Sequence, residues 1–207
     1  METIQIPEPK ISRFVFSDTR FSWIWLFLRL YVGYEWITAG WEKATSSAWI
    51  GNNAGSAIKG YLSSSLQQAS GAHPAVSSWY AFFIAHAALP HTVLLSYLVT
   101  YGELAVGIGL ILGAFTGIAA FFGIFMNFNY LFAGTVSINP LLLLIEIFLV
   151  LAWRSSGWIG LDRFLLPYLG VPWQGGAITK EKREFSPIEM LLLIMGVGLV
   201  IIVALSL

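Results

Sequence analysis

Five long apolar runs constrain this chain more than any other feature: residues 21–41, 91–113, 117–133, 140–153 and 188–205. Crossing a bilayer takes about 20 apolar residues in a helix. Inside lipid, every backbone N–H and C=O must find its partner within the protein, so lipid-exposed runs of this kind fold as helices. Only 11% of the residues are charged and 57% are hydrophobic, whereas a soluble domain carries about a quarter charged residues. The expected fold class is an all-α integral membrane protein, a four-helix transmembrane bundle plus one extra C-terminal transmembrane helix. The fourth run is short and is expected to borrow Ile138, Asn139, Arg154 and Ser155. Asn139 and Pro140 fit a helix cap followed by proline in the first turn.

The connections set the topology. Residues 114–116 and 135–138 are short enough to force tight antiparallel hairpins. Lys and Arg concentrate on the side of the cytoplasm. They cluster in the N-terminal tail (Lys10, Arg13, Arg20) and after the fourth run (Arg154, Arg163, Lys180, Lys182, Arg183), whereas residues 42–90 hold only Lys43 and Lys59. The expected location is therefore the cell membrane, multi-pass, with the N-terminus cytoplasmic and the C-terminus outside. An uncleaved first helix is expected in place of a removed signal peptide. The organisation that follows is a cytoplasmic tail (1–20), a four-helix membrane domain (21–167) with its outer connection at 42–90, a cytoplasmic linker (168–187) and a C-terminal transmembrane helix (188–207). Residues 74–89 read as an outer amphipathic or re-entrant helix, because a sixth span there would put Lys180, Lys182 and Arg183 outside. Residues 51–71, rich in Ser, Asn and Gly, read as an exposed loop holding one set of helical turns.

A net charge of zero points to no nucleic-acid partner, and the absence of cysteine excludes thiol catalysis and thiolate-held clusters. The three histidines, His73, His86 and His91, fall in or beside the outer connection, so neither haem nor a structural metal is expected, and no flavin motif is present.

The ionisable residues inside the apolar runs carry the functional signal. A charge near the bilayer centre costs about 3 kcal/mol on insertion scales, so such groups face the bundle interior and find partners. Counted from the cytoplasmic ends of their helices, Arg29, Glu103, Asn127 and Glu146 fall between about 12 and 15 Å deep. The matching depths predict an Arg29–Glu103 pair. Arg29, Glu103 and Glu146 are the candidate catalytic residues, and an acid left without a cation there suits proton transfer. Glu35 lies nearer the outer face, where solvation and a structural role are expected for it. Trp36, Tyr31 or Tyr34 offer a ring for a flat headgroup, and Asn127 and Asn129 read first as interhelical hydrogen-bonding groups. Asp162 reads as a capping or helix-starting residue.

The stretch LRLYVGYEWITAGWEK, followed by GELAVGIGLILGAFTGIAAFFGIFMNFNYLFAG and NPLLLLIEIFLVLAWRSSGWIGLDRFLLP, resembles the DoxX family over residues 21–167. The nearest likeness is to its DoxD-like branch, the membrane subunit of thiosulfate:quinone oxidoreductase. The resemblance implies electron transfer from thiosulfate, or a related sulfur donor, to membrane quinone, with quinone as the small-molecule partner and a second oxidoreductase subunit or a further copy of the chain as the protein partner. It gives Lys43 and Lys59 a role at an anion-binding outer mouth, and places Glu35, Trp36 and Asn127 among the substrate-binding residues. Two other readings stand beside it: a non-catalytic membrane scaffold for a partner oxidoreductase under oxidative stress, and a small-anion transporter.

Overall fold

The computed structural model describes residues 7–169 and Leu191. The fifth run, at 188–205, and all but the first two residues of the expected linker lie outside the described residues, or at Leu191 alone. Among the described residues every regular element is helical: α1 (Lys10–Ser17), α2 (Ser22–Ala44), α3 (Ser56–Gln67), α4 (Ser78–Phe83), α5 (Thr92–Leu112), α6 (Thr116–Phe132), α7 (Asn139–Leu151) and α8 (Asp162–Tyr168). Pro140 sits in the first turn of α7, but the cap position falls to Ile138.

Four helices close a ring in which α5 packs on α2, α6 on α7, and the α5–α6 and α2–α7 contacts complete it. The ring has an apolar core, with Trp25, Val32, Leu110 and Leu149 in it, yet departs from a soluble bundle in its buried ions and its apolar exterior. Arg29, Glu103, Asn127 and Glu146 are buried, while Trp23, Phe27, Leu98, Ile108, Phe121, Phe125, Leu144 and Leu151 face outward. Exposed apolar area on this scale marks a surface made for something other than water. Ser78–Leu112 is long and apolar enough to cross a membrane, with a mean hydropathy of 1.6; α6 and α7 are shorter apolar helices.

One expectation needs correction. Residues 74–89 do not form a separate outer helix, because α4 runs through a π-turn (Ile84–Ala88) and a 3-10 turn (Leu89–His91) directly into α5. Pro90 lies in the first turn of the 3-10 segment, where the hydrogen-bond ladder changes period and its missing N–H breaks nothing. The resulting helix of 35 residues is about 50 Å long. The helical turns expected within residues 51–71 are present as a full helix of 12 residues, α3. It buries Ile58, Leu62 and Ser65, a stripe on one helix face that the surrounding serines and glycines mask in sequence.

Glycine sets the approach of α2 and α5. A methyl group on Gly107 would lie 2.5 Å from Ile37 Cγ1 and 2.8 Å from the Ile37 backbone nitrogen, and one on Gly40 would lie 2.9 Å from the Leu104 nitrogen. Small residues allow this contact between membrane helices. Gly107→Ala is expected to destabilise the bundle by about 1–3 kcal/mol, as overpacking does, measured as loss of the folded fraction on heating in detergent. Gly60→Ala, whose new methyl group would meet nothing within 4 Å, is the control and should leave the melt unchanged.

Candidate functional site

The register of α2 against α5 separates the buried ions into two centres. Gly33 lies beside Ile111, Ile37 beside Gly107 and Gly40 beside Leu104. Continued in both directions, this antiparallel register brings Arg29 to Gly113 and Lys43 to Glu103. The predicted Arg29–Glu103 pair is therefore absent, and Glu103 takes Lys43 instead. The depth comparison failed because it assumed that the two helices begin flush. The first turns of α2 extend past the α5–α6 turn and are covered by other segments: Trp25 Nε1 donates to the Val15 carbonyl at 3.0 Å, and Ser155 Oγ to the Phe16 carbonyl at 3.0 Å.

At the turn end, Arg29 is 0% exposed. Its Nη2 donates to the Ile159 carbonyl, and its guanidinium fills the space left by Gly113 and Gly160. Gly113 holds φ at 62°, a left-handed turn that favours glycine. The opposing charge is Asp162. Its carboxylate accepts from the Phe115 N–H at 2.5 Å and the Thr116 N–H at 2.8 Å, capping α6, while its own N–H donates to the Gly113 carbonyl at 2.7 Å. Burial is the largest influence on this carboxyl and raises its proton affinity; the Thr116 and Phe115 bonds and Arg29 pull the other way. Asp162 thus caps one helix and starts another, the role its position suggested.

At the opposite end, a cavity of about 440 Å³ opens between α2, α3, α5 and the α6–α7 turn, with Trp36, Lys43, Trp49, Tyr61, Glu103 and Tyr130 on its walls. Lys43 Nζ stands 2.8 Å from Glu103 Oε2, donates to the Ala39 carbonyl at 3.2 Å and lies 5.2 Å from the centre of the Trp49 ring. Tyr130 OH donates to Glu103 Oε1 at 2.6 Å. Behind this wall, Trp36 Nε1 donates to Glu146 Oε1 at 2.6 Å and Asn127 Nδ2 to Glu146 Oε2 at 2.7 Å. The Trp36 and Tyr130 rings stack with centroids 6.4 Å apart, so this aromatic pair stands between the two carboxylates.

Of the candidate residues, Glu103, Lys43, Trp36 and Glu35 share the cavity, and Glu146 and Asn127 stand one layer behind it. Arg29 belongs to the other centre. Lys59 is exposed and does not line the cavity. Tyr31 and Tyr34 point outward, each 39% exposed. Tyr130 and Tyr61 were missed. Tyr130 follows Asn127 by three residues, the spacing that puts both on one helix face, and that was the available signal. Tyr61 had none, because the short helical turns expected in residues 51–71 gave it no buried face. Among the described residues, no three His, Asp or Glu side chains gather as metal ligands.

The comparisons with known proteins bear on the same segment. A family model described as DoxD, TQO small subunit DoxD, matches residues 24–179. No curated protein and no solved structure matches.

The register is open to a double-mutant cycle. Arg29→Met and Asp162→Asn should couple by about 1 kcal/mol or more in thermal stability, whereas Arg29→Met and Glu103→Gln should add to within about 0.5 kcal/mol. Coupling of the second pair in place of the first would contradict the register.

Proposed function

The chain belongs to the DoxD family, and from that premise we propose that it is the membrane subunit of a thiosulfate:quinone oxidoreductase, carrying the quinone side of the reaction while a partner subunit handles the sulfur donor. The observation that supports this division is the charge of the cavity. Lys43 is already paired with Glu103, and Glu35 and Glu42 also face the space. With three carboxylates against one ammonium, an anion such as thiosulfate meets repulsion there, and Lys59 stands elsewhere. A neutral quinone meets none, and finds flat rings in Trp36, Trp49 and Tyr130 together with a donor, the Lys43 N–H that neither Glu103 nor the Ala39 carbonyl takes.

Oxidation of two thiosulfates to tetrathionate releases two electrons, and reduction of one quinone to quinol consumes two electrons and two protons. On this reading, the Lys43 N–H that neither Glu103 nor the Ala39 carbonyl takes hydrogen-bonds a quinone oxygen as it gains negative charge. The Tyr130 hydroxyl, whose single hydrogen goes to Glu103, turns to that oxygen when Glu103 takes up a proton. Glu103, ionised beside Lys43, takes up that proton from the outer side and hands it to Tyr130 as Tyr130 gives its own to the quinone oxygen. Glu146, held only by neutral N–H donors behind Trp36, is the second proton-carrying group. Arg29 fixes the bundle and takes no part in the chemistry. In this proposal α2, α5, α6 and α7 all cross the bilayer, with α6 and α7, about 26 and 20 Å long, using their flanking turns. The basic residues around α1 and α8 put that end in the cytoplasm, and the cavity opens toward the outer face.

Glu103→Gln should lower thiosulfate-dependent quinone reduction roughly 100-fold or more in membranes that hold the chain with its partner, the range lost with a general acid. Lys59→Ala should leave the rate unchanged. Tyr130→Phe should weaken binding of a tail-less naphthoquinone to the purified chain roughly tenfold, read by quenching of tryptophan fluorescence. Wild-type quinone reduction by Glu103→Gln would end this reading, and saturable thiosulfate binding by the chain alone would end the division of labour.

A further inference from the structure

The polar cavity has a second exit. A larger cavity of about 820 Å³ lies along the cleft between α5 and α6 and shares Ile58, Val99, Tyr61 and Tyr130 with the first. From those tyrosines it follows Leu95, Leu98 and Gly102 down to Gly109 on α5, and Phe125, Phe122 and Ile118 on α6, ending at Ala114 and Phe115 of the turn. From Leu95 to Gly109 the slot is about 20 Å long. Apart from Asn129 and the hydroxyls of Tyr61, Tyr80 and Tyr130, its walls carry no polar side chain. Its floor is low where α5 carries small residues: Ala105 is exposed within it, and a methyl group on Gly102 would meet only Met126 Sδ, at 3.2 Å.

We propose that this groove holds the isoprenoid tail of the quinone whose ring occupies the polar cavity, and that quinone enters laterally from the bilayer between α5 and α6, past Tyr61 and Tyr130. The inference deepens the functional reading and rests on it for the identity of the head. The two ends of the composite cavity define the occupant as an amphiphile, polar and flat at one end and long and apolar at the other. The charge of the head end decides between the amphiphiles a membrane offers. A phospholipid would bring a phosphate against Glu35, Glu42 and Glu103, whereas a quinone head is neutral. Thr135 Oγ1 donates to Tyr61 OH at 3.0 Å, and the Tyr61 and Tyr130 rings meet edge to face with centroids 6.4 Å apart. The junction is thereby held in a defined shape between head and tail.

Two probes separate groove from chamber. A tail-less naphthoquinone, read by tryptophan quenching in the purified chain, reports the chamber. A long-tailed quinone with a photoreactive group at the far end of its tail, irradiated in nanodiscs and mapped by mass spectrometry, reports the groove. The expected label falls on residues 105–122 and is competed by unlabelled long-tailed quinone, not by added phosphatidylglycerol at the same mole fraction. Gly102→Leu with Ala105→Phe should cut that labelling roughly tenfold while tail-less quenching changes less than twofold. Label spread evenly over the outer surface, or undiminished in the double variant, overturns the groove. Equal competition by phosphatidylglycerol overturns quinone as its occupant. Groove labelling without any quenching by the tail-less probe keeps the tail slot and overturns the chamber reading instead.

Discussion

The close contact of α2 with α5 is the constraint on which the other features depend. Gly33, Gly40 and Gly107 let two backbones approach until side-chain volume no longer cushions them, so the register cannot slip without a collision. That register assigns the two cations of α2 to different partners. Lys43 goes to Glu103, and Arg29 goes to the α5–α6 turn and Asp162. One helix therefore carries both a structural cation and a cation on the cavity wall, separated by about 21 Å of rise. A slip of one turn would strand both charges away from their partners, at the cost of uncompensated ions in a dry interior.

The turn end shows how a short sequence element can lock a membrane hairpin. Residues 159–162 supply a carbonyl to Arg29, a carboxylate to the first N–H groups of α6, and an N–H to the Gly113 carbonyl. Helix ends leave unpaired backbone groups, and in a protein with few polar side chains those groups need a dedicated partner. The GLDR segment provides it, and the arginine inside α2 holds the segment in place. This answers why a strongly apolar helix keeps a guanidinium at its core: it is a linchpin between three chain segments.

Much of the architecture was legible because lipid leaves few options. Apolar length located α2, α5, α6 and α7, and short turns fixed their antiparallel order. The rule that intramembrane ions face inward found Arg29, Glu103, Asn127 and Glu146, all of which are buried. Pairing was not legible, because depth counted from a guessed helix end carries the error of that end, and α2 begins two turns beyond the hairpin it was aligned with. The outer region was read least well. The expected outer connection ran to residue 90, yet the change from π to 3-10 hydrogen bonding carries the helix through Pro90. The apolar stripe of α3 hid among serines, and with it Tyr61.

Glu103 and Glu146 are held in different ways, and that difference distinguishes the front of the cavity from its rear. Glu103 has a full positive charge at 2.8 Å and a phenol at 2.6 Å, so its charge is balanced and its position fixed at the cavity wall. Glu146 has only two neutral donors, the Trp36 indole and the Asn127 amide, so an ionised Glu146 would lack a counter-charge. A ring bound against Trp36 and Tyr130 would sit with one acid in front of that pair and the other behind it. Displacement of the Trp36 indole by a few tenths of an ångström would loosen one of the two hydrogen bonds holding Glu146. On the proposed reading, occupancy of the cavity and the proton state of the rear acid would be coupled through that single indole N–H, and Trp36 would be the residue through which the two sides communicate.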